Sequence, residues 1–153
     1  MLRATCKICD MLEAGEVRKR LRQTIDAARR DAAARRAAIG DVEKVYDSFL
    51  EDRAIPVLRQ VASALKAEGH VFQVLTPAGT ARLQSDRERD DYLEIGLDPG
   101  RKPPTAVGRV SHVRGSRLET SDQPIREGAR VSDLTDEDVL NWVLRVILPF
   151  VER

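Results

Sequence analysis

The sequence predicts an α+β fold: an N-terminal long helical hairpin, an antiparallel meander of four to five strands, and a C-terminal helix packed on the sheet. Residues 11–68 and 135–151 place apolar side chains at helical spacing, whereas residues 70–120 alternate in the manner of strands. No helical stretch separates the strands, so successive strands should pair in an antiparallel sheet. A length of 153 residues suits one domain, and we expect a single domain over residues 1–153.

The segment 11–38 predicts one long helix with a narrow, alanine-rich apolar seam. With one gap at Arg35 and Arg36, the apolar residues recur at spacings of three or four, at Val17, Leu21, Ile25, Ala28, Ala32 and Ile39. Alanine favours helix formation and leaves room for close approach of another helix. The candidate self-association residues of this segment are therefore Leu21, Ile25, Ala28 and Ala32.

Gly40 and Asp41 are suited to end the first helix and to begin a second one that extends to residue 68. Because the link is short, the two helices are predicted to form an antiparallel hairpin. Pro56 lies inside the second helix. It predicts a kink, or a break near Ala54 after which Pro56 restarts the helix in its first turn.

After Gly69 the spacing of apolar residues changes to that of strands. Leu93, Ile95 and Leu97 alternate with Tyr92, Glu94 and Gly96 in the clearest example. Turn and loop residues separate the predicted strands. These strands cover residues 70–76, 80–84, 92–98 and 105–113, followed by a short fifth strand over 117–120.

The C-terminal helix, residues 135–151, carries a strong start signal. Thr135 is a good N-cap and Asp138 completes the pattern of a capping box, while Pro149 should kink or finish the last turn. Its apolar arc is too wide for docking on one side alone. We therefore expect the helix to be covered by the sheet and also by other helices or a second subunit, with Trp142 and Leu148 as candidate self-association residues.

Charge is nearly balanced at +1 overall but is unevenly distributed. Residues 18–36 and 101–117 are rich in basic side chains, whereas residues 119–138 are mostly acidic. The basic residues of the second segment are weak candidates for contact with a polyanion or an acidic partner, and no aromatic stacking platform accompanies them. These residues are Arg101, Lys102, Arg109, Arg114 and Arg117.

No catalytic, cofactor-binding or metal site is predicted. His70 and His112 lie in no recognisable motif, and the single pair Cys6 and Cys9 lacks the further ligands that structural zinc requires. We interpret the two cysteines as ordinary thiols, with metal bridging between two subunits as the alternative. The first ten residues lack an apolar secretory core and no apolar stretch reaches membrane length, so we expect a cytoplasmic protein that does not contact membranes.

These observations favour a non-enzymatic, self-associating protein-interaction module, with a closed symmetric dimer as the expected assembly. One alternative is a nucleic-acid-associated protein that uses the basic segments 18–36 and 101–117. Another is a small-ligand binder or enzyme with a site between the sheet and the hairpin, lined by His70, His112 or Tyr92.

Overall fold

The protein is described here from a computed structural model, which covers residues 12–152. The α+β class is confirmed: a long N-terminal helix precedes a five-stranded antiparallel sheet and a C-terminal helical segment. The chain forms two compact units, Met1–Ala38 and Ile39–Arg153. We refer to these as the N-terminal unit and the C-terminal unit.

The first helix, α1, extends without interruption over Ala14–Phe49. The predicted hairpin turn at Gly40 and Asp41 is therefore wrong. A glycine at the end of a helix usually adopts a positive φ, and Gly40 is not among the glycines that do so. A glycine within a helix costs only about 1 kcal/mol relative to alanine, which strong helix formers on either side can offset.

The irregularity predicted before Pro56 takes the form of a π-helical turn, Leu50–Ala54, followed by α2, Ile55–Ala67. Pro56 lies in the first turn of α2, directly after the π-helical turn, and has no N–H to donate to the carbonyls of that turn. Leu50 and Ala54 are buried, so the turn also contributes to the core.

The five strands follow chain order across the sheet and every neighbouring pair is antiparallel, which confirms the predicted meander. The strands are β1 (Phe72–Leu75), β2 (Ala81–Ser85), β3 (Tyr92–Asp98), β4 (Thr105–Arg114) and β5 (Arg117–Pro124). Strand β5 is longer than predicted. Its polar residues Ser121, Asp122 and Gln123 pair with the long β4, and backbone pairing does not require apolar side chains.

One face of the sheet carries the core of the C-terminal unit. The fully buried residues of this face are Ala81, Leu83, Leu93, Ile95 and Ala106. Gly108 lies on the same face, and a Cβ atom there would overlap the indole ring of Trp142. Glycine is thus required where the C-terminal helix packs on β4, and the predicted packing of that helix on the sheet is confirmed.

The C-terminal segment forms α3 (Asp136–Val146) and the short α4 (Leu148–Val151). Both bonds of the predicted capping box are present: the Asp138 N–H donates to Thr135 Oγ1, and the Thr135 N–H donates to the Asp138 carboxylate at 2.9 Å. Pro149 lies in the first turn of α4. The break at Ile147 comes two residues before Pro149, which has no N–H to continue the hydrogen-bond ladder of α3.

Candidate association surface on α1

The N-terminal unit contains apolar side chains that the chain itself leaves exposed. Relative exposure is 57% for Leu21, 41% for Ile25 and 46% for Val17. No side chain between residues 12 and 38 is buried, and Ala32 is half-buried. We call Leu21, Ile25, Ala28 and Ala32 the α1 seam. All four residues that the sequence predicts for self-association in this segment therefore lie on the same helix, α1.

The spacing of the α1 seam alternates between four and three residues, which is the repeat of a coiled coil. Because α1 has no break at Gly40, the same alternation continues along the chain in the C-terminal unit. The positions that follow are Arg35, Ile39, Val42, Tyr46 and Phe49. Sequence reasoning missed this continuation because it assigned Gly40 to a turn. The signal for it in the sequence is that the spacings of three and four residues continue past Gly40 without interruption.

The side chains that flank the α1 seam differ between its two sides. In heptad notation the row on one side holds Arg22, Arg29 and Arg36. The row on the other side holds Thr24 and Asp31. Each of these five residues is exposed. The seam is thus bordered by a strongly basic row and by a row with one acidic and one uncharged side chain.

In the C-terminal unit, Tyr46 and Phe49 occupy the same heptad positions but are 2% and 4% exposed. The Tyr46 hydroxyl donates to the Gly79 carbonyl at 2.7 Å and also lies 3.3 Å from the Ile95 carbonyl. Burial, assisted by the charges of Asp47 and Glu94, holds the pKa of Tyr46 well above its ordinary 10.0. The last turns of α1 are therefore fixed by burial and hydrogen bonding.

The C-terminal helices present a second set of exposed apolar side chains. Leu140, Leu144 and Leu148 are 40%, 57% and 55% exposed, and they follow one another at intervals of four residues. Leu140 borders a recess of about 500 Å³ between α2 and α3. Trp142, in contrast, is fully buried against the sheet. Its ring fills the space above Gly108 of β4, so Trp142 belongs to the core and is not part of the exposed surface.

The basic residues of segment 101–117 do not form one patch. Arg101 and Lys102 lie in the loop before β4, whereas Arg114 and Arg117 flank the turn after it. Ten residues of strand separate the two groups, which is roughly 30 Å. Arg101 pairs with Asp98 at 3.2 Å, and Arg109 pairs with both oxygens of Asp122, at 2.9 and 3.2 Å. Ion pairing thus reduces the charge that this segment offers to a polyanion.

Arg109 belongs to a row of alternating charges across the outer face of the sheet. Arg82 is opposite Glu94, Glu94 is opposite Arg109, and Arg109 is opposite Asp122. The Arg82 guanidinium bonds Glu94 at 2.7 Å and lies 3.9 Å above the Tyr92 ring. The row is self-neutralising, so this face is a solvated surface of paired charges.

The titratable side chains named from the sequence are not brought together. Tyr92 lies on the outer face, whereas His112 lies on the face covered by α4, with its ring 5.1 Å from that of Phe150. His112 Nδ1 lies 3.3 Å from the carboxylate of Asp91, which also accepts from the Val113 N–H at 2.7 Å. His70 lies in the link between α2 and β1. Asp91 thus fastens the loop before β3 to β4.

Residues 12–152 contain no group of three or more His, Cys, Asp and Glu side chains arranged to hold a metal ion. Cys6 and Cys9 lie outside the described residues. The ligand site between sheet and hairpin stays a prediction, and the hairpin turn itself is replaced by the single helix α1.

Comparison with known proteins found no match to a family model, to a curated protein or to a solved structure. Within residues 12–152, every helix is too short or too polar to cross a lipid bilayer.

Proposed function

We propose that this protein is a non-enzymatic interaction module that associates with a second copy of itself through the α1 seam. The observation that carries the proposal is the exposure of Leu21 and Ile25 at heptad spacing on a helix that is 36 residues long. Exposed apolar stripes of this kind are the usual contact surface of two-stranded coiled coils. Burial of the stripe in a dimer removes its apolar area from water, at roughly 25 cal/mol per Å².

The alanine positions support the same proposal. Ala28 and Ala32 place small side chains in the C-terminal half of the seam, so two helices can approach closely there. Sheets offer bulkier surfaces and fit such a narrow seam less well. A closed dimer with two-fold symmetry uses the same patch on both copies and leaves no seam open.

The test is sedimentation equilibrium of the full chain over a wide concentration range. The unchanged protein should be a dimer at high concentration, and the double variant Leu21→Asp, Ile25→Asp should be monomeric because each change places a charge in the buried seam. Circular dichroism should report an unchanged melting of the C-terminal unit, since neither residue belongs to it.

Leu144→Asp is the matched control, because Leu144 has the same 57% exposure as Leu21 but lies on α3. It should leave the dimer intact. A chain that stays monomeric at every concentration would contradict the proposal. Dissociation by Leu144→Asp alone would move the interface to the Leu140, Leu144 and Leu148 row.

Nucleic-acid association is the second candidate, and the exposed row of Arg22, Arg29 and Arg36 favours it. Binding to a phosphate backbone should weaken steeply as salt increases. A mobility shift of duplex DNA or RNA at low salt, abolished by replacing the three arginines with glutamine, would support this candidate. The paired arginines Arg101 and Arg109 should contribute little, because each already has a carboxylate partner.

A further inference from the structure

We infer that the two copies of α1 associate in parallel and in register, so that each seam residue meets its own counterpart. The inference depends on the proposed self-association through the α1 seam. It concerns the orientation of the partner helix, which the apolar residues alone leave open because leucine, isoleucine and alanine pack in either direction.

The flanking charges decide the orientation. In a parallel pair, each residue of one flanking row faces the residue five positions later in the other row of the partner. Asp31 then faces Arg36 of the second copy, and symmetry makes this attractive pair twice. Thr24 faces Arg29 of the second copy, which places no like charge opposite that arginine.

In an antiparallel pair, each flanking row faces the same row of the partner. The row of Arg22, Arg29 and Arg36 would then lie along its own copy, with guanidinium groups opposed in every register that buries the α1 seam. Like charges at such short range are repulsive and oppose association. The parallel arrangement avoids this repulsion between the flanking rows and adds two Asp31–Arg36 pairs, one from each copy.

Arg35 follows Ala32 by three residues and Arg18 precedes Leu21 by three residues in the same series, so in a parallel, in-register pair each of them lies in one layer with its own copy. Each has a long aliphatic stem that can lie along the seam while the guanidinium group reaches water. Asp31 lies four residues before Arg35 on the same helix, within reach of a charge pair. The two arginine layers border the α1 seam at its two ends, where the guanidinium groups can stay in water.

Disulfide crosslinking tests the orientation in a Cys6→Ser, Cys9→Ser background. Leu21→Cys and Ala32→Cys lie eleven residues apart on the seam, about 16 Å along the helix. In the parallel, in-register dimer each variant should crosslink with its own copy. In an antiparallel dimer only one position along the helix can meet itself, so at most one variant would crosslink. Gln23→Cys, on the opposite side of the helix, is the control that should not crosslink.

A charge exchange gives an independent measurement. Asp31→Arg and Arg36→Asp should each raise the Kd of the dimer by about two- to fivefold, because each places like charges opposite one another. The double variant should return the Kd to near that of the unchanged protein, as the cycle restores an opposite pair.

The outcomes separate the inference from the proposed function. Crosslinking at both positions together with restoration by the double variant supports the parallel dimer. A dimer that crosslinks at one position only, or whose double variant is not restored, overturns the orientation and leaves the α1 seam as the interface. A monomer at all concentrations overturns both.

Discussion

The two units of this chain use apolar residues in opposite ways. In the C-terminal unit, Leu58, Leu83 and Leu93 are fully buried, and they belong to one core cluster with other apolar residues of the same unit. In the N-terminal unit, Leu21 and Ile25 are 57% and 41% exposed. The C-terminal unit thus has a buried core beside its exposed row of Leu140, Leu144 and Leu148, whereas no side chain of residues 12–38 is buried.

This contrast implies two different sources of order. The C-terminal unit should unfold in a transition that does not depend on protein concentration, because its core is complete within one chain. Helices that lack tertiary contacts are only marginally stable in water, even when rich in alanine. The N-terminal helix should therefore gain stability from association, and its melting should depend on concentration.

Gly108→Ala should have the largest effect and should act on the C-terminal unit alone. The added methyl group would overlap the Trp142 ring, which is fully buried and has no room to move. Overpacking of this kind costs about 3 kcal/mol, so thermal unfolding should occur many degrees lower. Dimerisation measured below that temperature should persist, since Gly108 lies outside the N-terminal unit.

Gly96→Ala is the matched control, because Gly96 lies on the neighbouring strand β3 and an added Cβ there would meet only Thr80 Cγ2 at an ordinary 3.8 Å. Its stability should remain within about 0.5 kcal/mol of the unchanged protein. Equal destabilisation by the two variants would show that overlap with the Trp142 ring is not what destabilises Gly108→Ala.

The sequence predicted this sheet well and the helices less well, for physical reasons. Alternation of side chains with period two, as in Leu93, Ile95 and Leu97, depends on local geometry and marks β3 within its observed bounds. Gly40 misled the prediction because the cost of glycine in a helix is small, and strong helix formers around it override the signal.

Two further features could not be read from local patterns. The burial of Trp142 depends on the absence of a side chain at Gly108, which lies 34 positions earlier in the chain and is brought there by the fold. The polar residues 121–123 of β5 join the sheet because β4 offers them a long partner strand. The exposed residues Leu21 and Ile25, by contrast, were predictable because helical spacing alone places them on one side of α1.

Tyr46→Phe should have an intermediate effect, because it removes one buried hydrogen bond without changing the shape of the ring. The loss of the bond to the Gly79 carbonyl should cost about 1 kcal/mol in urea unfolding. Tyr46 shares its heptad series with the α1 seam, so this variant tests whether the buried end of the helix is fixed independently of association. Dimerisation should remain unchanged.

The same residue predicts a dependence on alkaline pH. Burial raises the pKa of Tyr46 in the folded state, so the folded chain retains a proton that the unfolded chain begins to lose near pH 10. Stability should therefore be fully present below about pH 10 and should decline as pH rises further. This decline should be smaller in Tyr46→Phe. An identical alkaline profile for the two proteins would show that other groups cause it.

Asp122→Asn should have the smallest effect of these variants, and it measures what a paired surface charge contributes to stability. The Arg109 guanidinium donates to Asp122 and holds the pKa of that carboxyl below its usual value. The folded-state pKa is lowered, so the pair should contribute above the unfolded value near 3.8 and lose its contribution as pH falls through the folded value. Both side chains are about half exposed, so urea unfolding near neutral pH should change by less than about 1 kcal/mol.

Sedimentation should show an unchanged dimer, whereas Asp31→Arg should weaken the dimer without altering the unfolding of the C-terminal unit. If Asp122→Asn instead changed association as much as Asp31→Arg does, the outer face of the sheet would have to be part of the interface.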